Sequence, residues 1–299
     1  MNVLSLFDGM SCGQIALNNL GIKVDNYFAS EIKRNAIRCT LDNFPNTKQL
    51  GDIRNIKGAD LPAIDLLIGG SPCQDFSRAN SVRLGLNGLK SSLFYEYVRL
   101  LEETKPKYFL LENVIMDDVG YNMISEILGT EPVRICGSRV SAALRDRLYW
   151  TNIGPEYFDL FGGRHCAIPQ PKDKKIFLND ILEYGYSDRK KHTCLRVNSG
   201  ENGSQEYMIH RNKTTGMTTL IYTDETMDVK KGVRCCTQIE LERLHNIPEG
   251  YTRNLTKPQA GNLIGDGWTI GVIEYIFSFL PAKIQEKKAA GGFSQLIKK

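Results

Sequence analysis

Short apolar runs alternate with amphipathic stretches along the first half of the chain, and glycines punctuate the joins, as when strands lie side by side with helices between them. Residues 2–7 (NVLSLF) read as a first strand. The turn Asp8, Gly9, Met10, Ser11, Cys12, Gly13 follows, and then a helical pattern through Ile15, Leu17 and Leu20. Residues 26–30 (NYFAS) and 47–50 are the next strand candidates. Residues 64–68 (IDLLI), bounded by glycines, read as a buried strand delivering the turn 69–74 (GGSPCQ). Leu93, Tyr97, Leu100 and Leu101 fall at helical spacing and form a core-facing stripe. Residues 108–111 (YFLL) are a further buried strand, and 133–136 and 148–153 read as the closing strands.

From Gly154 to about Lys231 the pattern gives way to glycines, lysines and polar stretches such as 187–192 (SDRKKH) and 198–205 (NSGENGSQ). Apolar order returns at 234–251 as a strand and an amphipathic helix through Ile239, Leu241 and Leu244. Residues 268–280 read as an apolar helix that packs back on the first lobe. The expectation is an α/β protein with a mixed, mostly parallel sheet, organised as a catalytic region 1–153, a second small lobe 154–231, a return segment 232–281 and a flexible basic tail 282–299.

Composition narrows this picture without redirecting it. The chain has 299 residues, 41% hydrophobic and 24% charged, enough for one large core and a smaller lobe. No apolar run approaches the ~18 residues of a membrane span, and the N-terminus lacks a secretory pattern, so a cytoplasmic protein is expected. The eight cysteines are scattered with no CxxC pair, which argues against a disulfide framework or a zinc ribbon. The spacing of His165 and Cys166 with His192 and Cys194 suits no standard zinc site, and no metal is expected. A net charge of +4 favours a polyanionic partner only weakly.

Candidate chemistry gathers at the carboxyl ends of the strands, where open α/β sheets place it. The first glycine turn would admit a nucleotide-like ligand beside free helix amides, or serve only as a tight turn. Glu31 stands about 20 residues on, where Rossmann-type sites put an acid on ribose hydroxyls, and Asp52 follows the third strand. Two such acids suit a ribose and an amine better than a pyrophosphate, although each alone would equally cap a helix. Cys73, beside Pro72 and after paired glycines, is placed as a nucleophile would be; a lone cysteine there is otherwise a buried, inert one. The segment 75–92, with Arg78, Arg83, Lys90 and two glycines, reads as a lid or as a solvated surface loop. Glu112 and Asn113 end the neighbouring strand, where a buried glutamate would carry a proton near neutrality, or else cap a helix or pair with a base. Arg145 and Arg147, two residues apart, would share one face and aim into one cleft, or face solvent.

In order, FDGMSCG, Glu31, GDI, GGSPCQ, ENV, RDR, RCCTQIELERLHNIPEGYT and GNLIGDGWTIGVIEYIF resemble the motif series of the cytosine-5 DNA methyltransferases over residues 2 to about 280. The wording of FDG, ASE, GDIR, IGGSPC and GDGW is similar to the catalytic domain of the de novo branch, here as a stand-alone bacterial or phage enzyme. The resemblance implies a Rossmann-like methyltransferase fold with a target-recognition lobe, and S-adenosylmethionine as methyl donor. It places Phe7, Asp8, Gly9, Met10, Ser11, Cys12, Gly13, Glu31, Ile32, Asp52, Ile53, Pro72, Asp266, Gly267 and Trp268 around that donor. It implies Cys73 as nucleophile, with Glu112, Asn113, Arg145 and Arg147 completing the catalytic set.

Double-stranded DNA is the implied partner, its cytosine swung out of the helix, with Gln74, Ser77, Arg78, Arg83, Lys90 and Arg196 as contacts. Lys190, Lys191, Arg211 and Lys213, with Arg196, are phosphate-contact candidates or else a solvated charged face, and 177–183 (FLNDILE) resembles a recurrent element of the recognition region. Two departures stand out: the glutamine usual before the paired arginines is absent, and the region around Asn262 matches the last motif only partly. A transfer RNA methyltransferase is a second reading. A catalytically silent regulatory relative is a third, although such a chain usually loses the thiol or the ENV acid and this one keeps both. The recognised sequence and oligomeric state are not legible, with a monomer the default.

Overall fold

The computed structural model describes residues 1–72, 93–160, 162–195 and 204–281. Seven strands form the central sheet: β1 (Asn2–Leu6), β2 (Asn26–Ser30), β3 (Lys48–Gln49), β4 (Leu66–Gly70), β5 (Tyr108–Val114), β6 (Val133–Cys136) and β7 (Asp146–Thr151). Their spatial order is β3-β2-β1-β4-β5-β7-β6. Only β7 runs against the others, pairing antiparallel with β5 and β6. The chain order reverses between β1 and β4, and that switch point opens the crevice in which such sheets bind ligands.

Both faces of the sheet are covered, which is why its central strands are apolar at successive positions rather than alternate ones. Leu4, Leu6, Leu67, Leu111 and Trp150 pack on one face with Phe94, Tyr97 and Leu100 of α3 (Leu93–Thr104) and Ile124 of α4 (Asp118–Leu128). Val3, Leu66, Ile68, Leu110 and Tyr149 pack on the other. That second face takes Ile15, Ala16 and Leu17 of α1 (Cys12–Asn19), and Ala36 and Cys39 of α2 (Arg34–Asn43). At Gly13 on α1, a Cβ would come within 2.3 Å of Ile68 Cδ1. Gly13→Ala is therefore expected to destabilise the fold by about 1–3 kcal/mol through overpacking, read as a lower denaturation midpoint. An unchanged midpoint would show that Ile68 yields freely.

The end of the chain belongs to this same layer. α8 (Ile270–Phe277) fully buries Ile270, Val272, Ile273, Ile276 and Phe277, each contributing roughly 2 kcal/mol by removal from water. This burial brings residues 265–268 beside the turn after β1. The expected return of an apolar helix to the first lobe is thus met, with the helix shorter than 268–280. A helix absent from the sequence reading, α7 (Lys257–Asp266), precedes it.

Between these regions, β8 (Glu156–Phe158) and β9 (Arg164–Cys166) form one hairpin, and β10 (Ile221–Tyr222) pairs with β11 (Val233–Arg234). α5 (Gln205–Thr215) lies between them in sequence, and α6 (Gln238–Leu244) follows β11. A small cluster of Met208, Leu220, Tyr222 and Val233 anchors α5. Ile168, Leu178, Ile181 and Leu195, however, pack within the main core. The change at Gly154 is one of secondary structure more than of core.

Candidate active site

The turn from β1 into α1 is backbone under constraint. Phe7, Gly9 and Ser11 all have positive φ, at 55°, 58° and 61°, which costs a non-glycine residue roughly 1–2 kcal/mol. A web of contacts holds it there. Asp8 accepts from the Ser11 hydroxyl and, at 2.9 Å, from Tyr27 Oη, Glu31 Oε2 accepts from Gly9 N at 2.8 Å, and Tyr251 Oη donates to the Met10 carbonyl at 2.8 Å. The other Glu31 oxygen accepts from Ile32 N and Lys33 N at 2.7 and 2.8 Å. Glu31 thereby ties the end of β2 to the glycine turn.

The turn forms one wall of a cleft of ≈ 370 Å³, counted with the part open to solvent, lined by Ser5, Phe7, Asp8, Gly9, Cys12, Gly13, Gly70, Glu112, Asp266, Gly267 and Trp268. Three of these are carboxylates and none is basic. Burial pushes the Asp8 carboxyl up to about 6, against the lowering effect of hydrogen bonds from Ser11, Ser5 and Tyr27, while the nearby Glu31 charge adds to the rise. Burial also pushes the Cys12 thiol up to about 12, so at neutral pH it is a packed thiol that accepts from Trp268 N at 3.3 Å.

At the cleft's inner end stands Glu112. It lies within β5 rather than past its end, directly across from Gly70 of β4. Its Oε1 pairs with Arg147 Nε at 2.9 Å and its Oε2 accepts from Trp268 Nε1 at 3.0 Å. Asn113 Nδ2 donates to Ser71 Oγ at 3.1 Å, which fastens β5 to the segment leading into residue 73. The ion-paired alternative for Glu112 is thus the arrangement found.

The two arginines make different contacts. Arg147, on β7, reaches Glu112 and sits by Cys194. Arg145 precedes the strand, turns into the core at 4% exposure and donates from Nη1 to the Gly265 carbonyl at 3.0 Å. The expectation of two guanidiniums in one cleft is corrected accordingly, because strand alternation does not extend to a residue outside the strand. Arg145 instead fixes the segment that carries Asp266, Gly267 and Trp268. Behind it lies His245, which the sequence reading passed over. It is fully buried, and desolvation, then the charges of Arg145, Arg147 and His192, hold its imidazole well below the usual histidine range.

Other expected residues sort by geometry. Met10 and Ser11 are fully buried and support the turn from behind instead of lining the cleft. Ile53 packs in the core, whereas Ile32 is 68% exposed beside Glu31, and Pro72 is exposed. Asp52 caps the short helix Ile53–Asn55, and the Arg54 guanidinium holds its carboxylate at about 2. Lys191 is withdrawn as a phosphate contact: its Nζ donates to the carbonyls of Ser138, Ser141 and Ile176 at 2.6, 2.8 and 2.6 Å. Lys190 and Lys213 are exposed, and Arg211 lies over the Tyr207 ring on α5. Ser5 and Gly70 line the cleft without having been singled out; both end on the cleft side of strands at the switch point. Cys73, Gln74, Ser77, Arg78, Arg83, Lys90, Arg196 and the tail 282–299 lie outside the described residues. Among the described residues, no group of three or more His, Cys, Asp or Glu side chains could hold a metal ion, and no helix is long and apolar enough to cross a membrane.

Residues 1–127 match the family model described as C-5 cytosine-specific DNA methylase. A type II methyltransferase of Lactococcus lactis subsp. cremoris, M1.ScrFI, is 39% identical over 316 residues, covering 96% of this chain and 79% of that protein. The chain belongs to the C-5 cytosine-specific DNA methylase family. An orphan methyltransferase of Bacillus phage rho11s, M.Rho11sI, is 40% identical over 116 residues, 38% of this chain but only 23% of that protein. The alignment with M.SPRI of Bacillus phage SPR likewise spans 26% of its length. In structure, the chain is similar to S. pombe Dnmt2 methyltransferase, with a TM-score of 0.68 at 18% identity over 93% of this chain and 97% of that one. It is also similar to the Entamoeba histolytica methyltransferase EhMeth, with a TM-score of 0.66 at 16% identity over 93% and 98%. The Rossmann-like methyltransferase fold expected from the motif series is therefore the fold found.

Proposed function

We propose that the chain is an S-adenosylmethionine-dependent DNA (cytosine-5)-methyltransferase, acting on a cytosine swung out of double-stranded DNA through a covalent adduct with Cys73. The observation that carries this reading is Glu112, held between Arg147 and Trp268 at the inner end of an acidic switch-point cleft, in a chain of this family.

The cleft's residues fit the donor. Among the described residues the lining carries the carboxylates Asp8, Glu112 and Asp266 and no basic side chain. Lys33 pairs with Asp266 and Arg147 with Glu112 from outside it. The charge left over is that of Asp8, which disfavours a pyrophosphate and suits a ligand bearing an ammonium and a sulfonium. Asp8 in the lining is the carboxylate for such charges. Asp266, paired with Lys33, and Glu31, beside the cleft and bonded to Gly9 N, have lone pairs left for ribose hydroxyls, and Gly9 and Gly13 let backbone approach. When bound there, the donor supplies an electrophilic methyl group.

This assignment has a pH signature. Burial pushes the Asp8 carboxyl up to about 6, so affinity for a cationic donor should rise with pH through about 6, as the carboxylate ionises. Stability should run the other way. The folded carboxyl holds its proton more tightly than an unfolded one at 3.8, so its contribution is present below 3.8 and is lost as pH rises to about 6. Calorimetric titration of S-adenosylmethionine between pH 5 and 8 checks the first trend, and a flat affinity would remove Asp8 from the donor site.

The remaining residues divide the work on the base. Carbon 5 of cytosine is a poor nucleophile, so the Cys73 thiolate adds at carbon 6 and the displaced ring electrons enrich carbon 5. A proton held between Glu112 and ring nitrogen 3 would neutralise the charge that builds on the ring, and Arg147 would donate to the carbonyl oxygen at position 2. Asn113, through Ser71, holds the segment from which Cys73 follows. After carbon 5 is methylated, its proton leaves, the carbon–sulfur bond breaks and the thiolate is regenerated. Duplex DNA carrying 5-fluorocytosine blocks that proton loss, since fluorine cannot depart as a cation. Incubated with donor and enzyme, it should leave protein and DNA covalently joined. Methylation of tRNA instead of duplex DNA would redirect the substrate, and absence of any adduct would count against the covalent route.

A further inference from the structure

Trp268 belongs to two neighbourhoods at once. Its side chain lines the cleft assigned to the methyl donor, and its indole Nε1 donates to Glu112 Oε2 at 3.0 Å in a buried contact. The other oxygen of that carboxylate is held by Arg147 Nε at 2.9 Å. A single donor fixes one oxygen and leaves the carboxylate free to pivot about it. A second donor on the second oxygen fixes its plane, which matters for a group that must meet the edge of a flat ring.

The indole has little room to move. A Cβ built on Gly70 would lie 2.9 Å from Trp268 Nε1 and 3.0 Å from Glu112 Oε2, so the β4 backbone closes against the contact itself. Trp268 N donates to Cys12 Sγ at 3.3 Å, and a Cβ on Gly267 would lie 3.0 Å from Met10 Cε and 3.1 Å from Cys12 Sγ. Arg145 pins the preceding turn through the Gly265 carbonyl. To swing away, the indole would have to lift this segment off the start of α1.

We propose that Trp268 is a positioning residue that sets the plane of the Glu112 carboxylate from the donor side of the cleft, so that the donor pocket and the base-binding carboxylate share one rigid wall. The proposal rests on the reading of Glu112 as the group that meets the base. It assigns the indole N–H a function that ring packing alone would not require, and the replacement Trp268→Phe separates the two by keeping a ring and removing the donor.

The test compares Trp268→Phe, Glu112→Gln and the double variant on duplex DNA that the wild-type protein methylates, with donor affinity measured by calorimetry. Trp268→Phe is expected to lower kcat at saturating donor about tenfold or more, beyond what any change in donor affinity accounts for, the size of effect expected from losing a hydrogen bond to a charged group. In the Glu112→Gln background it should cost little further, because both changes act through one carboxylate. Gly70→Ala, whose added methyl presses on both ends of the same contact while the indole N–H is kept, should reproduce the loss of kcat even if Trp268→Phe folds poorly. A loss of donor affinity that accounts for the whole effect, or full additivity with Glu112→Gln, would overturn the assignment. Full activity of Glu112→Gln by itself would instead refute the reading of Glu112, a distinct result.

Discussion

Cys73→Ala is expected to abolish methyl transfer, by more than about a thousandfold, while donor affinity stays close to that of the unaltered protein. Without a thiolate to add at carbon 6, carbon 5 keeps its aromatic character and has no electron pair to offer the methyl group. Among the described residues, the cleft proposed for the donor is lined by the turn after β1, Gly70, Glu112 and the segment 266–268. Transfer of labelled methyl groups to duplex DNA, alongside calorimetric titration of the donor, separates the two effects. Persistent methylation by the alanine variant would refute the nucleophile assignment. A joint loss of donor binding would mean that Cys73 supports the cleft instead.

Arg147→Ala should be nearly as damaging, in a way that also registers in stability. The guanidinium is the cationic partner at 2.9 Å of a carboxylate whose side chain is only 10% exposed. Removing it leaves Glu112 with the Trp268 N–H alone, and stripping one partner from a buried pair costs about 3 kcal/mol or more. A lowering of the melting temperature by roughly 5–10 °C is expected for a protein of this size. The rate on DNA should fall at least about a hundredfold, since the donor to the cytosine carbonyl is lost with the anchor of the acid. The methylated sequence, read by bisulfite sequencing, should be unchanged. A shift in sequence choice would place this arginine in base recognition rather than in catalysis. By contrast, Arg145→Ala should act chiefly through the cofactor side, because its contact is the Gly265 carbonyl of the segment ending at Trp268.

Much of this was legible along the chain because the signals are local. A strand, a glycine turn and a helix can be read from Asn2 to Leu20, since period and turn chemistry are properties of neighbouring residues. Glu31 is singled out by its distance from that turn, although the spacing alone does not reveal that its carboxylate accepts from Gly9 N. The paired arginines show where such reading stops. Their spacing says that they share a face only if both lie in the strand, and β7 begins between them, at Asp146. Met10 shows the same limit, since its place in a ligand-binding turn does not reveal that its side chain enters the core. Lys191, one of a run of basic residues, spends its charge on three backbone carbonyls that are remote in sequence.

The sequence by itself determined the strand and helix periods, the family and the kinds of chemical group available, because these depend on residue type and short-range order. What only the tertiary structure decided is which groups meet. Glu112 is held by Arg147, 35 residues on along the chain, and by Trp268, |i−j| = 156 away. Those contacts exist because antiparallel β7 enters a parallel sheet beside β5 and because α8 buries its apolar faces against α1. Burial and distance are collective quantities, set by packing the whole chain, and no local pattern carries them.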